Sequence, residues 1–422
     1  MNVDNRTIFC HDNLEVLRGI NSACIDLIYL DPPFNKKKTF TAPIGSSAEG
    51  ASFSDIFREE DVKEDWLETI KEDEDDVYSF LMGIRGIEGR ASYNFCYLAY
   101  MAIRLIECRR ILNNKGSLYL HCDPTMSHYL KILLDCIFGE KNFRNEVIWC
   151  YRGAGYPKND FGKRHDIILR YTSTNKYIFN LDEIREEYAE ATKKRFKHYI
   201  GNIREGKDFG QQSLNSKGKH PDDWLQIQPI APSAKERTGY PTQKPIALLE
   251  RIIKASSNEG DMVLDPFCGC ATTCVASEKL NRKWIGIDVS VKAYELVKIR
   301  VEKEIKSLFA QDIGFYTRPP DRTDQGTDYL PQKYVYIISH PKHKGYYKVG
   351  IASNIKSRLG SYQTGDPERK YKLEYAHFTP HFREIEAYIH QKYDNNFEWV
   401  KGKVEDIKKD IEHHSSKPTA LP

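Results

Sequence analysis

Ile25-Asp26-Leu27-Ile28-Tyr29-Leu30-Asp31-Pro32-Pro33-Phe34-Asn35 is the stretch around which the rest of the chain can be read. Its first six residues form an apolar run with the length and β-branched content of a buried strand. Two successive prolines cannot continue a central strand or open regular helical bonding, so the chain must leave the sheet in a rigid turn. That turn presents the Asp31 carboxylate, the Pro32 carbonyl and the Phe34 ring at the C-terminal edge of a sheet. In open α/β sheets this edge is where ligands bind. A carboxylate and a fixed carbonyl are paired acceptors for an exocyclic amine, and a flat ring beside them can stack on a base.

Working outward, Thr7–Cys10 reads as a short strand ending at His11-Asp12-Asn13, followed by a helix closed at Gly19. Downstream, Lys36 to Phe53 is polar and rich in Gly and Ser and reads as a mobile loop. Asp61–Gly86 is acidic, amphipathic and helical in pattern. Tyr93–Leu112 carries a helical stripe, Gly116 opens a strand over Ser117–His121, and a helix runs from about Met126 to Phe138. Strand alternating with helix implies a doubly wound α/β sheet. From about 149 to 240 regularity fails. This polar, basic and aromatic region, with Tyr151, Tyr156, Phe196, Tyr199 and Trp224, reads as a recognition insertion. Regularity returns at Thr242-Gln243-Lys244-Pro245, with Pro245 at the N1 position of a helix. A strand then ends in Asp265-Pro266-Phe267-Cys268-Gly269-Cys270-Ala271-Thr272-Thr273, and a second strand ends at Asp288. Small residues in the first turn and an acid about twenty residues on suit an adenosine cofactor.

With 422 residues the chain has room for two or three domains. It contains no apolar run long enough to span a membrane, and its polar N-terminus does not read as a signal peptide. The ten cysteines are scattered, several within apolar runs, which suits reduced thiols in a cytoplasm. The one cluster, Cys268, Cys270 and Cys274, lacks a second Cys/His pair, so zinc is not expected. A net charge of +3 conceals a basic tail: residues 331–422 hold 16 Lys/Arg against 11 Asp/Glu. Charge alone neither requires nor excludes DNA as a partner.

Taken together these motifs resemble the amino-methylating DNA methyltransferases in their permuted, β-class arrangement. There a D-P-P-[YF] stretch precedes the recognition region and a D-P-F-x-G-x-G-T-T loop follows it. The resemblance covers residues 5–305 and implies a class I methyltransferase-like fold, S-adenosyl-L-methionine as cofactor and double-stranded DNA as substrate. It implies that Asp31, Pro32, Pro33 and Phe34 are catalytic and clamp a flipped base. Asp288 would hold the ribose, and Asp265, Phe267, Gly269 and Thr272 would shape the cofactor pocket. Asp12 would lie near the cofactor's adenine and Lys244 near its other end. Aspartate at position 31 leans toward adenine N6, whereas serine is commoner where cytosine N4 is the target. One departure is Ala271 in place of glycine, tolerable if its φ is negative. A homodimer and a cognate restriction endonuclease are the protein partners such an enzyme admits.

Residues 306–330 read as a linker. Beyond it, 331–412 form a small α+β unit with a hairpin of Tyr334–Ile338 and Tyr347–Ile351 and helices around Arg358 and over Phe382–Tyr393. This tail resembles the GIY-YIG nuclease superfamily, with Tyr336 at the first motif, Lys348 at the second-motif tyrosine, Arg358 on the helix and Glu386 as the residue that would hold Mg²⁺. Lysine at 348, with Tyr347 adjacent, leaves cleavage and a non-cutting DNA-binding role both open.

Overall fold

The computed structural model describes residues 1–89, 92–153, 155, 157–198, 201–205, 207–301, 313–324, 333–352, 355–379, 381–396 and 398–415. Packing divides the chain into two units: Met1–Lys63 with Phe80–Thr323, and Glu64–Ser79 with Asp324–Pro422.

The first unit is built on strands β1 (Thr7–Cys10), β2 (Ile25–Leu30), β3 (Lys38–Thr41), β4 (Ser52–Asp55), β5 (Leu112–Cys122), β6 (Phe143–Cys150) and β7 (His165–Thr172). They are followed by β8 (Gly201–Arg204), β9 (Lys207–Gln211), β10 (Trp224–Gln226), β11 (Met262–Asp265), β12 (Lys283–Asp288) and β13 (Gly314–Tyr316). The helices in chain order are α1 (Asn13–Gly19), α2 (Glu64–Asp73), α3 (Asp75–Glu88), α4 (Tyr93–Ile111) and α5 (Ser127–Phe138). After them come α6 (Glu190–Arg195), α7 (Ile246–Ser256), α8 (Thr272–Lys279) and α9 (Val291–Arg300). Of these, α2 and the start of α3 belong to the second unit.

Nine strands form one mixed sheet in the order β10-β6-β7-β5-β2-β11-β12-β1-β13. All neighbours are parallel except β7, which runs antiparallel to both β5 and β6. Helices bury both faces. Leu27, Tyr29 and Val263 pack with Leu248, Leu249, Ile252 and Ile253 of α7. Ile8 and Trp284 pack with Val275 of α8 and Ala293 and Val297 of α9. Burial on both faces explains why these strands read as continuous apolar runs.

Several expectations change. The stretch from 36 to 53, read as a loop, contains the antiparallel ribbon β3–β4, in which Phe40 faces Phe53 across the pair. Its strands are short and mostly exposed, so no apolar alternation marks them. Within 149–240, β7 is a central strand rather than part of an insertion. His165 and Asp166 at its start and Arg170 within it mask the run, and Arg170 is buried with its guanidinium 4.6 Å from the Phe179 ring. Pro245 is the N-cap of α7 in extended conformation, one residue before N1. Gly314–Tyr316, inside the stretch read as a linker, is the edge strand of the large sheet, too short to show a period. Tyr156, Tyr199 and much of 306–330 lie outside the described residues.

Ala271 is left-handed, at φ 57°, contrary to the negative φ expected of a non-glycine there. Such a conformation costs an alanine about 1–2 kcal/mol. It is held by the turn itself: the Ala271 N–H donates to the Cys268 carbonyl, and its carbonyl accepts from Val275 in the first turn of α8. The methyl is fully buried, and removing it would forfeit about 0.8 kcal/mol. Much of the strain is thus offset, and alanine is tolerated.

The second unit carries β14 (Lys333–Ser339), β15 (Tyr346–Ala352), β16 (Lys372–Thr379), β17 (Asn395–Asn396) and β18 (Trp399–Lys401) in an antiparallel sheet ordered β16-β14-β15-β18-β17. Its own helices are α10 (Ile355–Thr364), α11 (Phe382–Lys392) and α12 (Val404–Ser415). Ile385, Ile389, Ile407 and Ile411 of α11 and α12 pack on Val335, Ile337 and Val349. Strand β16 and helix α12 escaped the sequence reading. Among the described residues no helix is long and apolar enough to cross a membrane.

Gly286 shows how tightly the first unit is packed beneath its site. A Cβ there would sit 2.7 Å from Ile8 Cδ1 and 3.0 Å from the sulfurs of Cys268 and Cys274. Gly286→Val is expected to destabilise this unit by about 1–3 kcal/mol, seen as a lower urea midpoint.

Candidate active site

Strands β2 and β11 lie side by side, Leu27 opposite Val263 and Ile28 opposite Leu264. From this pair the chain runs in opposite directions across the sheet, β2 to β5 and β11 to β12. Such a switch point is where an open α/β sheet forms its ligand crevice. Here it holds a cavity of about 640 Å³, lined by Asp12, Asp31, Pro32, Pro33, Phe34, Lys244, Asp265, Phe267, Gly269, Thr272 and Asp288. All eleven residues expected for transfer and cofactor therefore meet in one place.

The double-proline turn is fixed from outside. Asn35 is left-handed at φ 61°, and its N–H and that of Lys36 donate to the Asp55 carboxylate at 2.6 and 3.0 Å. Burial raises the Asp55 carboxyl above its ordinary range, against the three backbone hydrogen bonds that favour the ion. The Lys36 ammonium pairs with Asp123.

Asp31 divides its two oxygens. Oδ2 lies 2.5 Å from the Lys244 ammonium, whose side chain is 7% exposed. Oδ1 is buried without a hydrogen-bond partner among the described residues. Lys244 Nζ also sits 5.3 Å from the Phe34 ring centre. The lysine is aimed by Gln243, which accepts from the Thr238 N–H and donates to the Glu236 carbonyl.

On the other side, Asp265 accepts from the Phe267 N–H at 3.0 Å and from the Thr273 hydroxyl at 2.5 Å. Burial pushes its carboxyl up to about 7 despite both bonds. Asp288 accepts the N–H groups of Gly269 and Ser290 at 2.9 and 2.8 Å, and burial raises it as well. Gly269 has φ 50°, and a Cβ there would lie 2.9 Å from the Tyr240 ring. Asp12 caps α1 through the Leu14 N–H and pairs with Arg104 at 3.2 Å. Thr272 Oγ1 accepts from buried Arg300 at 3.0 Å.

Sequence reasoning missed Tyr29, Asp55, His121, Asp166, Tyr240 and Thr273. Thr273 was legible as the second member of the Thr-Thr pair. Asp55 and Asp166 stood in stretches read as loop and insertion, and His121 was read only as the end of a strand. Cys268 and Cys274 pack around Gly286, and the described residues hold no His/Cys/Asp/Glu group arranged for a metal ion.

In the second unit, Tyr336 is fully buried and its hydroxyl lies 2.7 Å from that of Tyr362. Arg358 donates to the Tyr336 hydroxyl at 3.2 Å and pairs with Asp75 at 3.3 Å. Lys348 pairs with Glu398 at 2.5 Å, its ammonium 4.3 Å from the Tyr362 ring centre. Gly350 makes room, since a Cβ there would be 2.6 Å from the Tyr336 hydroxyl. Glu386 is half-buried on α11. Tyr362 was not anticipated.

The DNA methylase family model matches residues 25–299, and the T5orf172 domain matches 333–415. The chain belongs to the DNA methylase family, that of the N6/N4 DNA methyltransferases. It is 28% identical over 340 residues to the Type II methyltransferase M.HpaI of Haemophilus parainfluenzae, spanning 80% of this chain and 85% of that protein. It is 28% identical over 287 residues to the DNA adenine methyltransferase YhdJ of Escherichia coli, over 68% of this chain and 79% of that one. The solved structure of PvuII DNA methyltransferase (cytosine-N4-specific) is similar at 14% identity and a TM-score of 0.42, covering 75% of this chain and 95% of that one.

Asp265 sets a pH dependence. Its folded carboxyl titrates at about 7 rather than the ordinary 3.8, so between these values the native state keeps a proton that the unfolded chain has lost. Stability should therefore fall as pH rises through that window. Asp265→Asn is expected to flatten the fall, measured as the urea midpoint at successive pH values.

Proposed function

We propose that this chain is a site-specific DNA methyltransferase that moves a methyl group from S-adenosyl-L-methionine to adenine N6 in double-stranded DNA, as the modifying arm of a restriction–modification system. The observation that carries this reading is the divided carboxylate of Asp31, one oxygen anchored on Lys244 and the other buried and unpaired beside Phe34. An unsatisfied buried acceptor is costly, and an amine hydrogen is the group that relieves it.

An adenine in duplex keeps N6 within the stack, so the base must leave it. Asp31 Oδ1 and the Pro32 carbonyl then accept the two N6 hydrogens, drawing the nitrogen lone pair out of conjugation, while Phe34 stacks on the base. S-adenosylmethionine supplies the electrophilic methyl group when bound. The residues present suit it. Gly269 offers backbone that a side chain would obstruct, Asp288 would take the ribose hydroxyls, and Asp265, Phe267 and Thr272 border the same cavity. Asp12 would take the adenine end. The protein contributes orientation and electrostatics, with no covalent enzyme intermediate.

Expression in a host free of DNA methylation, followed by sequencing of modified bases, tests the target. N6-methyladenine at one recurring sequence is expected, and N4-methylcytosine would overturn the adenine assignment. Asp31→Ala is expected to lower the purified activity by at least about 10²–10³-fold.

For the tail we propose Mg²⁺-dependent DNA cleavage of the GIY-YIG type, which would make the chain a combined restriction–modification enzyme. The phenol pair Tyr336–Tyr362 with Arg358 against it supports this reading. A phenolate of the pair, formed when the phenol gives up its proton beside Arg358, would take the proton from water. Arg358 would face the phosphate, and Glu386 with the substrate phosphate would hold the ion. Cutting of unmethylated DNA that disappears in Glu386→Ala is expected. Methylation without cutting under any divalent ion would make the tail a binding accessory.

A further inference from the structure

His121, at the end of β5, is a completely buried titratable group that the reaction above does not use. Its imidazole lies beneath the Phe34 ring, centroids 5.8 Å apart and planes 26° from parallel. The Trp149 ring meets it edge-on at 5.6 Å and 89°. Both ring nitrogens are engaged. Nδ1 is 2.8 Å from the Tyr29 hydroxyl, and Nε2 is 3.2 Å from Asp166 Oδ2.

The partners select one tautomer. Burial, reinforced by nearby carboxylates, holds the Tyr29 phenol well above its ordinary range, so it keeps its proton and can donate. Burial is the largest influence on Asp166 and raises it, yet the hydrogen bond from His121 together with the Lys244 and Lys36 charges holds that carboxyl below its ordinary range, so Asp166 accepts. Nδ1 is therefore the acceptor and Nε2 carries the proton. Burial, with the Lys244 charge adding to it, pushes the imidazole down and keeps it neutral. A ring with a donor on one nitrogen and an acceptor on the other cannot turn over without breaking both bonds.

We infer that His121 is a positioning residue for methyl transfer: anchored between Tyr29 and Asp166, its ring is the shelf that sets the plane of Phe34, and through Phe34 the plane of the target base beside Asp31. This rests on the proposed reading of Phe34 as the ring that stacks on the base. The prolines before Phe34 stiffen the backbone but leave its own side-chain torsions free. The shelf supplies the missing constraint. Misplacing a reacting group by about 1 Å can cost about 10²-fold in rate.

The test compares His121→Ala, His121→Gln and Tyr29→Phe in the full-length protein, by steady-state methyl transfer to DNA and by equilibrium titration with S-adenosylmethionine. His121→Ala and His121→Gln are expected to lose about tenfold or more in kcat while cofactor affinity stays within about twofold. Tyr29→Phe keeps the stack and drops one anchor, so an intermediate loss is expected. A kcat within about threefold of wild type in both His121 variants overturns the inference. A parallel loss of cofactor affinity overturns it too, because general structural support would act on both. If His121→Ala does not fold, the graded losses in the other two variants decide. A wild-type protein that transfers no methyl group overturns the underlying reading and this one with it.

Discussion

The Lys244–Asp31 ion pair is the constraint on which the site depends. It joins residues 213 positions apart, tying the turn that follows β2 to the segment that leads into α7. Both charges are largely withdrawn from water, at 7% and 18% side-chain exposure. Losing one partner of a buried pair leaves the other uncompensated, at about 3–5 kcal/mol. Each residue therefore has to be held where the other needs it. The prolines and Asp55 hold the aspartate, while Gln243 and the start of α7 hold the lysine. The pair leaves Oδ1 unsatisfied, and the site's proposed chemistry follows from that remainder.

Much of the first unit was legible because buried parallel strands and their turns leave strong marks. Apolar runs ended in Asp-Pro at 31 and 265 and in Asp at 288, and the structure puts all three ends on one cavity. What escaped was written in weaker signals. A ribbon such as β3–β4, stabilised by Phe40 stacked on Phe53 at 5.0 Å, has no periodic apolar face. Strand β7 was hidden by Arg170, whose charge sits among aromatic rings rather than in water. His121 and its two tautomer-fixing partners come from three separate strands, a juxtaposition that no local window contains. Ala271 failed differently: its left-handed conformation is imposed by the turn that starts α8, overriding the preference of the residue itself.

The tail shows the same division. Tyr336 and Arg358 were legible as motif positions, and the structure brings them within hydrogen-bond distance. Tyr362 was not, because one helical turn after Arg358 it reads as an ordinary aromatic on α10. The acidic run Glu72–Asp76 was read as part of an acidic, amphipathic helical stretch. It is partly committed, Asp73 to buried Lys333 and Asp75 to Arg358. Counting charge along a sequence overstates what is free to repel DNA when such residues are already neutralised in pairs.

The charge balance of the cavity favours a particular kind of occupant. Asp12 is matched by Arg104, Asp31 by Lys244, Asp123 by Lys36, and Asp166 by a hydrogen bond to His121. Asp265 and Asp288 are different: among the described residues they are held by backbone N–H groups and a hydroxyl, with no cation against them. Burial raises both, so ionising them in an empty site is unfavourable. A ligand carrying positive charge into this side would lower that cost, since an opposite charge within a few ångströms favours the ionised form. A neutral or anionic ligand would not. Two buried carboxylates with no cation against them among the described residues thus favour a ligand that brings positive charge to this side of the cavity.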